Sequence, residues 1–254
     1  MKFESFKDLI PGYCSGMVRV LISHPFDYIR LYLQMNRSNT FKEFFQEIPI
    51  TKLYKGVKIP LMIVPIDRSI QFKSYEYLNK LQFNPFVSGA LCGIISTLFT
   101  LPSNYLINKY LLDKHRTIMD ILKNDYSNMY KGFRPEIIRS ILGSGIYLGV
   151  YGSMRNRYPP NDTIQSIINS SFAGIAVWTI TYPLDTLKVE QQIHHYTIQE
   201  IYTKRIKIKG FFNLWKGILP IYIRSIPSSA AGMLVYETVR KYTQDEEELK
   251  NEIK

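Results

Sequence analysis

Cysteine is scarce in this chain of 254 residues: only Cys14 and Cys92 occur, both in apolar segments among small neighbours. That excludes a disulfide framework, and neither thiol belongs to a metal cluster. Four histidines, His24, His115, His194 and His195, show no ligand spacing, and no nucleophile, base and metal set converges. An enzyme is therefore not expected, nor a cofactor or a metal. Long apolar runs are also missing. Mean hydropathy is -0.10, and hardly any stretch offers about 18 consecutive residues free of polar groups. A membrane protein survives this test, because helices around a water-filled cavity need only their outer faces apolar. The opening MKFESFKDLI lacks an Arg/Ser-rich transit pattern and a signal cleavage site, so targeting information is expected to be internal.

The net charge of +11 would suit a nucleic-acid binder, but the bases are scattered and no zinc-finger or RNA-binding motif accompanies them. No nucleic-acid partner is expected. Residues 37–55 hold four bases and two acids, 113–131 four and three, and 193–216 five and one. These three segments carry an excess of +7, the bias that membrane proteins place on their cytoplasmic or matrix side.

The segments recur because the chain repeats. A small residue four before a glycine appears as Gly12 and Gly16, Gly89 and Gly93, and Ser170 and Gly174. Nine residues beyond each second glycine stands a proline: Pro25, Pro102 and Pro183. Farther on come Leu53-Tyr54-Lys55-Gly56, Met129-Tyr130-Lys131-Gly132 and Leu214-Trp215-Lys216-Gly217. Nineteen residues after those glycines stand Tyr75, Tyr151 and Tyr236. Proline-to-proline steps of 77 and 81 residues leave room for two long helices and a short one per repeat. The small-xxx-small pairs are expected to let helix backbones approach within a membrane, and the prolines to kink the helices and pinch one end of a barrel.

After the first proline the chain reads Pro25-Phe26-Asp27-Tyr28-Ile29-Arg30 and continues to Gln34; after the third it reads Pro183-Leu184-Asp185-Thr186-Leu187-Lys188 and continues to Gln192. An acid and a base three apart share a helix face, and ionisable groups inside membrane helices usually face a cavity or a partner. This pattern, P-x-[DE]-x-x-[KR] with a downstream aromatic-basic-glycine run, resembles the mitochondrial carrier family from about residue 8 to 242.

The resemblance implies an all-α membrane protein: six transmembrane helices in three tandem two-helix repeats around a central cavity. The repeats would span 1–80, 81–156 and 157–242, with an acidic tail over 243–254. Expected helices run over 6–36, 57–80, 84–112, 133–153, 163–192 and 218–242, with short amphipathic helices in the three loops. The resemblance also implies a matrix gate of Asp27, Arg30, Gln34, Asn104, Asp185, Lys188 and Gln192, in which Asp185 pairs with Arg30 and the glutamines brace the ring. The second repeat departs from the pattern with Pro102-Ser103-Asn104-Tyr105-Leu106-Ile107, and Leu111 replaces its glutamine. Asp27 and Lys188 are thus expected to lose their ion partners. A cytoplasmic gate would comprise Tyr75 and Glu76, Tyr151 and Arg155, and Tyr236, Glu237 and Arg240, with Glu76 to Arg155 its surviving strong pair. Both gates are expected to be weakened.

Family substrate positions lie seven residues after each aromatic-basic glycine, with the eighth also used on the fourth helix. These positions are Ile63, Arg139 with Ser140, and Arg224; because Pro60 shifts the first register, Val64 is the alternative to Ile63. Asp67, Arg68 and Gln71 are further candidates. Two arginines imply a small anionic substrate, a carboxylate, keto acid or nucleotide, moved by antiport through alternating access. The Pro102-Ser103 pair is similar to that of S-adenosylmethionine carriers, and an arginine at 139 resembles keto-acid and amino-acid carriers, so those stand as alternatives. A non-transporting helical-repeat scaffold is the rival of another class. The expected setting is a monomer in the mitochondrial inner membrane, with both termini in the intermembrane space and anionic lipid at its matrix side.

Overall fold

The computed structural model describes residues 10–35, 40–82, 85–113, 116–158 and 163–252, with side chains for most of them. Among these residues there is no strand, and six long helices carry the architecture. They are α1 (Ile10–Gln34), α3 (Lys58–Lys80), α4 (Pro85–Leu112), α6 (Phe133–Arg157), α7 (Thr163–Ile193) and α9 (Leu219–Glu252). Short helices α2 (Phe41–Glu47), α5 (Ile118–Asn124) and α8 (Ile198–Ile201) connect the members of each pair. The boundaries agree with those expected to within a few residues, except that α9 continues to Glu252, so the segment taken for an acidic tail prolongs the last helix.

The long helices close a ring. α1 packs on α3 and α9, α4 on α3 and α6, and α7 on α6 and α9. Pro25, Pro102 and Pro183 lie inside α1, α4 and α7. Each removes a backbone donor from its helix interior, which bends the helix. Below the prolines, toward the end that carries the charged signature, a buried cluster forms around Tyr28, Tyr32 and Phe44, with ring centroids 5.2 and 5.9 Å from Phe44.

Threonines start all three short helices. Thr40, Thr117 and Thr197 accept bonds from the amides of Glu43, Asp120 and Glu200 at 3.2, 3.2 and 3.3 Å, satisfying donors that a helix start leaves open. They stand 15, 15 and 14 residues beyond their prolines, a further mark of the repeat.

The outside of the ring is oily and its inside is not. Met62, Ile66, Leu142, Ile180 and Leu234 are exposed on long helices, whereas Ser96, Thr97 and Ser140 line the interior. That inversion of a soluble protein suits lipid outside and water within. By length and apolarity alone, three described helical stretches qualify as membrane spans: Val87–Leu112, Ile167–Ile193 and Phe211–Tyr236. α1, α3 and α6 fall short because polar residues share their length with the apolar face.

Among the described residues, the close approach expected of the small-xxx-small pairs is seen only in the second repeat. A Cβ on Gly93 would lie 3.0 Å from Ser140 Cβ, and one on Gly89 3.4 Å from Ser144 Cβ, so α4 and α6 do approach there. Cβ atoms on Gly12, Gly16 and Gly174 would meet nothing within 4 Å. α1 instead meets α9 through Ser15, whose hydroxyl donates to the Gly232 carbonyl at 2.7 Å.

The glycines of the aromatic-Lys-Gly runs have a sharper role. Gly132 caps α6 with φ +87°, and a Cβ there would lie 2.8 Å from Lys188 Cγ and 3.1 Å from Lys188 O. Gly217, also at φ +87°, would place one 2.9 Å from Arg30 O. Only a residue without a side chain combines that backbone with that contact. Each thus seats its repeat against the charged signature of the next.

Candidate substrate site

A cavity of about 700 Å³ lies inside the ring, and its floor is built by the segments that follow the prolines. Three bonds tie α1, α4 and α7 into a triangle. Arg30 Nη1 donates to Asp185 Oδ2 at 2.7 Å, joining α1 to α7. Asn108 Nδ2 donates to Gln192 Oε1 at 2.9 Å, joining α4 to α7. Tyr28 Oη reaches the Leu111 carbonyl at 3.4 Å, joining α1 to α4. Gln34 braces the first side by donating to Thr186 Oγ1 at 2.8 Å and Asp185 Oδ2 at 3.3 Å. One side is ionic and two are neutral, as the uncharged second repeat requires. From below, buried Arg205 pairs with Glu190, donates to Asn213 Oδ1 at 2.9 Å and caps the Gln34 carbonyl.

The sequence reading left Asp27 and Lys188 without ion partners; the structure supplies both from second helices. Lys188 Nζ lies 3.2 Å from Asp185 Oδ1 and 3.2 Å from Glu136 Oε2. Glu136 starts α6 and is 2% exposed, so it replaces the acid that Asn104 does not provide. Asn104 itself lines the cavity. Asp27 Oδ1 lies 3.4 Å from Arg224 Nη2.

Glu136 also holds Arg139. Arg139 Nε and Nη2 donate to its two oxygens at 2.8 and 2.5 Å, a bidentate clasp one helical turn long. The result is one alternating chain of charge, Arg30, Asp185, Lys188, Glu136 and Arg139, running from α1 through α7 to α6. Over it lies Trp178 of α7. The guanidinium carbons of Arg30, Arg139 and Arg224 stand 5.7, 5.6 and 5.9 Å from its ring centre. Three cations from three helices around one indole are mutually repulsive unless the ring's negative face and paired carboxylates offset them. Arg139 lines the cavity, whereas Arg224 is not among its lining residues, and both are already partnered.

Ser140 lines the cavity and its hydroxyl lies 3.3 Å from that of Thr97. Val64, with Pro60, lines the first repeat's wall in place of Ile63, as the shifted proline allows. Asp67 is 8% exposed, lines the same wall and accepts a 2.5 Å bond from Ser96 Oγ. The side chains of Arg68, Gln71, Tyr75, Glu76, Tyr151, Arg155, Glu237 and Arg240 lie outside the described residues, so of the expected cytoplasmic gate only Tyr236 is described, partly exposed.

A sequence profile of the family described as Mitochondrial carrier protein matches residues 2–85 and 159–247, on either side of the repeat that lacks the charged signature. The chain is 24% identical to a glutamate/glycine mitochondrial carrier of Schizosaccharomyces pombe, over 94% of this chain and 95% of that one. It is 25% identical to a mitochondrial carnitine/acylcarnitine carrier protein of Mus musculus, over 93% and 94%. It is 23% identical to a mitochondrial adenyl nucleotide antiporter of Danio rerio, over 92% of this chain and 58% of that one. These relatives differ in what their names say they carry, so cargo must be argued from the cavity.

Proposed function

The chain belongs to the mitochondrial carrier family, whose members move metabolites across the mitochondrial inner membrane as multi-pass proteins, and from that premise we propose that this one carries a small carboxylate by alternating access. The observation that carries the reading is the clasp of Arg139 on Glu136 beneath Trp178, because a substrate carboxylate presents to that guanidinium the same two oxygens that Glu136 does. Exchange of one carboxylate for another frees Glu136, and with it the chain that holds Lys188 and Asp185. Substrate binding would then loosen the matrix gate by the amount it binds the open form better. A polyphosphate is a poorer fit. Arg30, Arg139 and Lys188 on the cavity wall each hold an internal acid already, leaving little spare cationic capacity.

The basic loops orient the signature end toward the matrix and both termini toward the intermembrane space. A cytoplasmic gate on the even helices would close when the matrix gate opens.

Reconstitution in liposomes tests this. Purified protein should exchange external for internal monocarboxylates, and Arg139→Ala should abolish the exchange while Arg139→Lys retains part of it. Exchange confined to neutral or cationic compounds would overturn the carboxylate reading.

A further inference from the structure

We infer that Trp178 is a positioning residue of the matrix gate, whose indole holds Arg30 across the Pro183 kink and so keeps the empty carrier from opening; this rests on the carboxylate reading above. Trp178 stands five residues before Pro183, and Asp185 stands two after it. Seven residues apart, the two share one face of α7 at about 10.5 Å of helix rise, and both line the cavity. Arg30 of α1 reaches both. Its Nη1 lies 2.7 Å from Asp185 Oδ2, and its guanidinium carbon lies 5.7 Å from the indole centre. One guanidinium is thus held on both sides of the proline, where α7 lacks a backbone hydrogen bond and bends most readily.

That double hold favours the closed gate. Opening parts Arg30 from Asp185, and a free arginine regains the rotamer freedom that closing must take away again. Fixed against the ring, Arg30 already has the geometry that Asp185 meets. Tryptophan suits the role, since its face attracts cations more strongly than other aromatic rings do, and a half-buried position limits screening by water.

The ring also gathers its neighbours. Arg224 of α9, the helix between α1 and α7, stands 5.9 Å from the indole centre and pairs with Asp27 of α1 at 3.4 Å. Asp27, Arg224, Trp178 and Arg30 therefore tie α1 to α7 a second time, independently of Asp185. Arg139 approaches from α6 at 5.6 Å. Cargo on Arg139 places its carboxylate beside the ring that Arg30 shares, and an anion there draws Arg30 off Asp185. Cargo thereby releases a hold that the empty cavity leaves in force, which is what exchange without leak requires.

The experiment uses the purified full-length chain in liposomes loaded with radiolabelled pyruvate, lactate, glycine or glutamate. It compares release into medium holding the same compound with release into medium holding none. Wild-type protein should release at least one of the four mainly against external compound. Trp178→Leu should raise release into the empty medium by about threefold to tenfold relative to exchange, and Trp178→Phe by less. A residue that only packs would lower both rates together. Trp178→Leu added to Arg30→Gln should raise the ratio no further than Arg30→Gln alone, because the ring acts through that guanidinium. A ratio that neither Trp178 variant raises, or a further rise on top of Arg30→Gln, would overturn the hold and leave the carboxylate reading standing. So would wild-type release that needs no external compound, or trapped sucrose escaping from the variants at the same rate, which marks a pore. Wild-type liposomes that release none of the four compounds would overturn both. Trp178→Phe decides the matter even if Trp178→Leu does not fold.

Discussion

Lys188 Nζ stands 3.2 Å from the Glu136 carboxylate, so the third repeat's base is neutralised from the second helix of the preceding repeat. A ring of ion pairs drawn only from the proline segments would be broken at Asn104. The molecule closes that break with an acid that also clasps Arg139, making one carboxylate answerable to both the floor and the cargo site.

Glu136→Gln should therefore cost more than a lone buried acid would. It leaves Lys188 and Arg139 each short of an anion, and removing one partner of a buried pair costs about 3 kcal/mol or more. The double variant Glu136→Gln with Lys188→Gln should be more stable than the sum of the single losses predicts, by 1 kcal/mol or so, in a thermal-melt cycle. Simple additivity would show that the two do not interact.

Reversing the Arg30 to Asp185 pair should restore transport only in part. Arg30→Asp with Asp185→Arg preserves the 2.7 Å contact in principle, but the new arginine faces Lys188, which lies 3.2 Å from the original acid. Adding Lys188→Gln should raise exchange further, measured in liposomes. Full recovery by the double swap alone would show that Lys188 does not lean on Asp185.

Gly132→Ala should lower the melting temperature sharply. A left-handed backbone costs an ordinary residue about 1–2 kcal/mol, and here the added carbon also falls 3.1 Å from the Lys188 carbonyl and 3.2 Å from its Cα, which cannot turn aside as a side chain can. Gly149→Ala, in helix with nothing within 4 Å, is the matched control and should be neutral or slightly stabilising. Equal losses at both would remove the glycine contact from the account of ring closure.

The repeat, the six helices and the charged floor were legible because they are written at fixed covalent spacing. Pro25, Pro102 and Pro183 mark α1, α4 and α7 regardless of what packs on them. Glu136 was readable too: it stands three before Arg139, a same-face pair, yet beside Pro135 it passes for an ordinary helix-start acid. Other features carry no such trace. Tyr28 bonds to a backbone carbonyl at Leu111, which any residue would offer. The three guanidinium groups around Trp178 come from three helices that meet only once the ring has closed. Spacing also misled, since Gly12, Gly16 and Gly174 repeat the small-residue pattern although, among the described residues, a Cβ on any of them would meet nothing within 4 Å.

The partnership of Asp27 with Arg224 separates binding from turnover. At 3.4 Å, with Asp27 more than a third exposed and Arg224 mostly buried, the pair is looser than the Glu136 clasp on Arg139. If Arg224 shares in holding the cargo carboxylate, Asp27 is its resting partner and competes with substrate for it. Asp27→Asn should then free Arg224, lowering the half-saturation concentration for exchange by several-fold, since one charge-assisted bond no longer has to be displaced. The same change should slow release, because the resting acid no longer draws Arg224 away from departing cargo, so the maximal rate should fall along with KM. Arg224→Ala should instead raise KM. Initial exchange rates in liposomes separate the two patterns, and an Asp27→Asn protein with raised KM would show that Asp27 positions the site rather than competing for it.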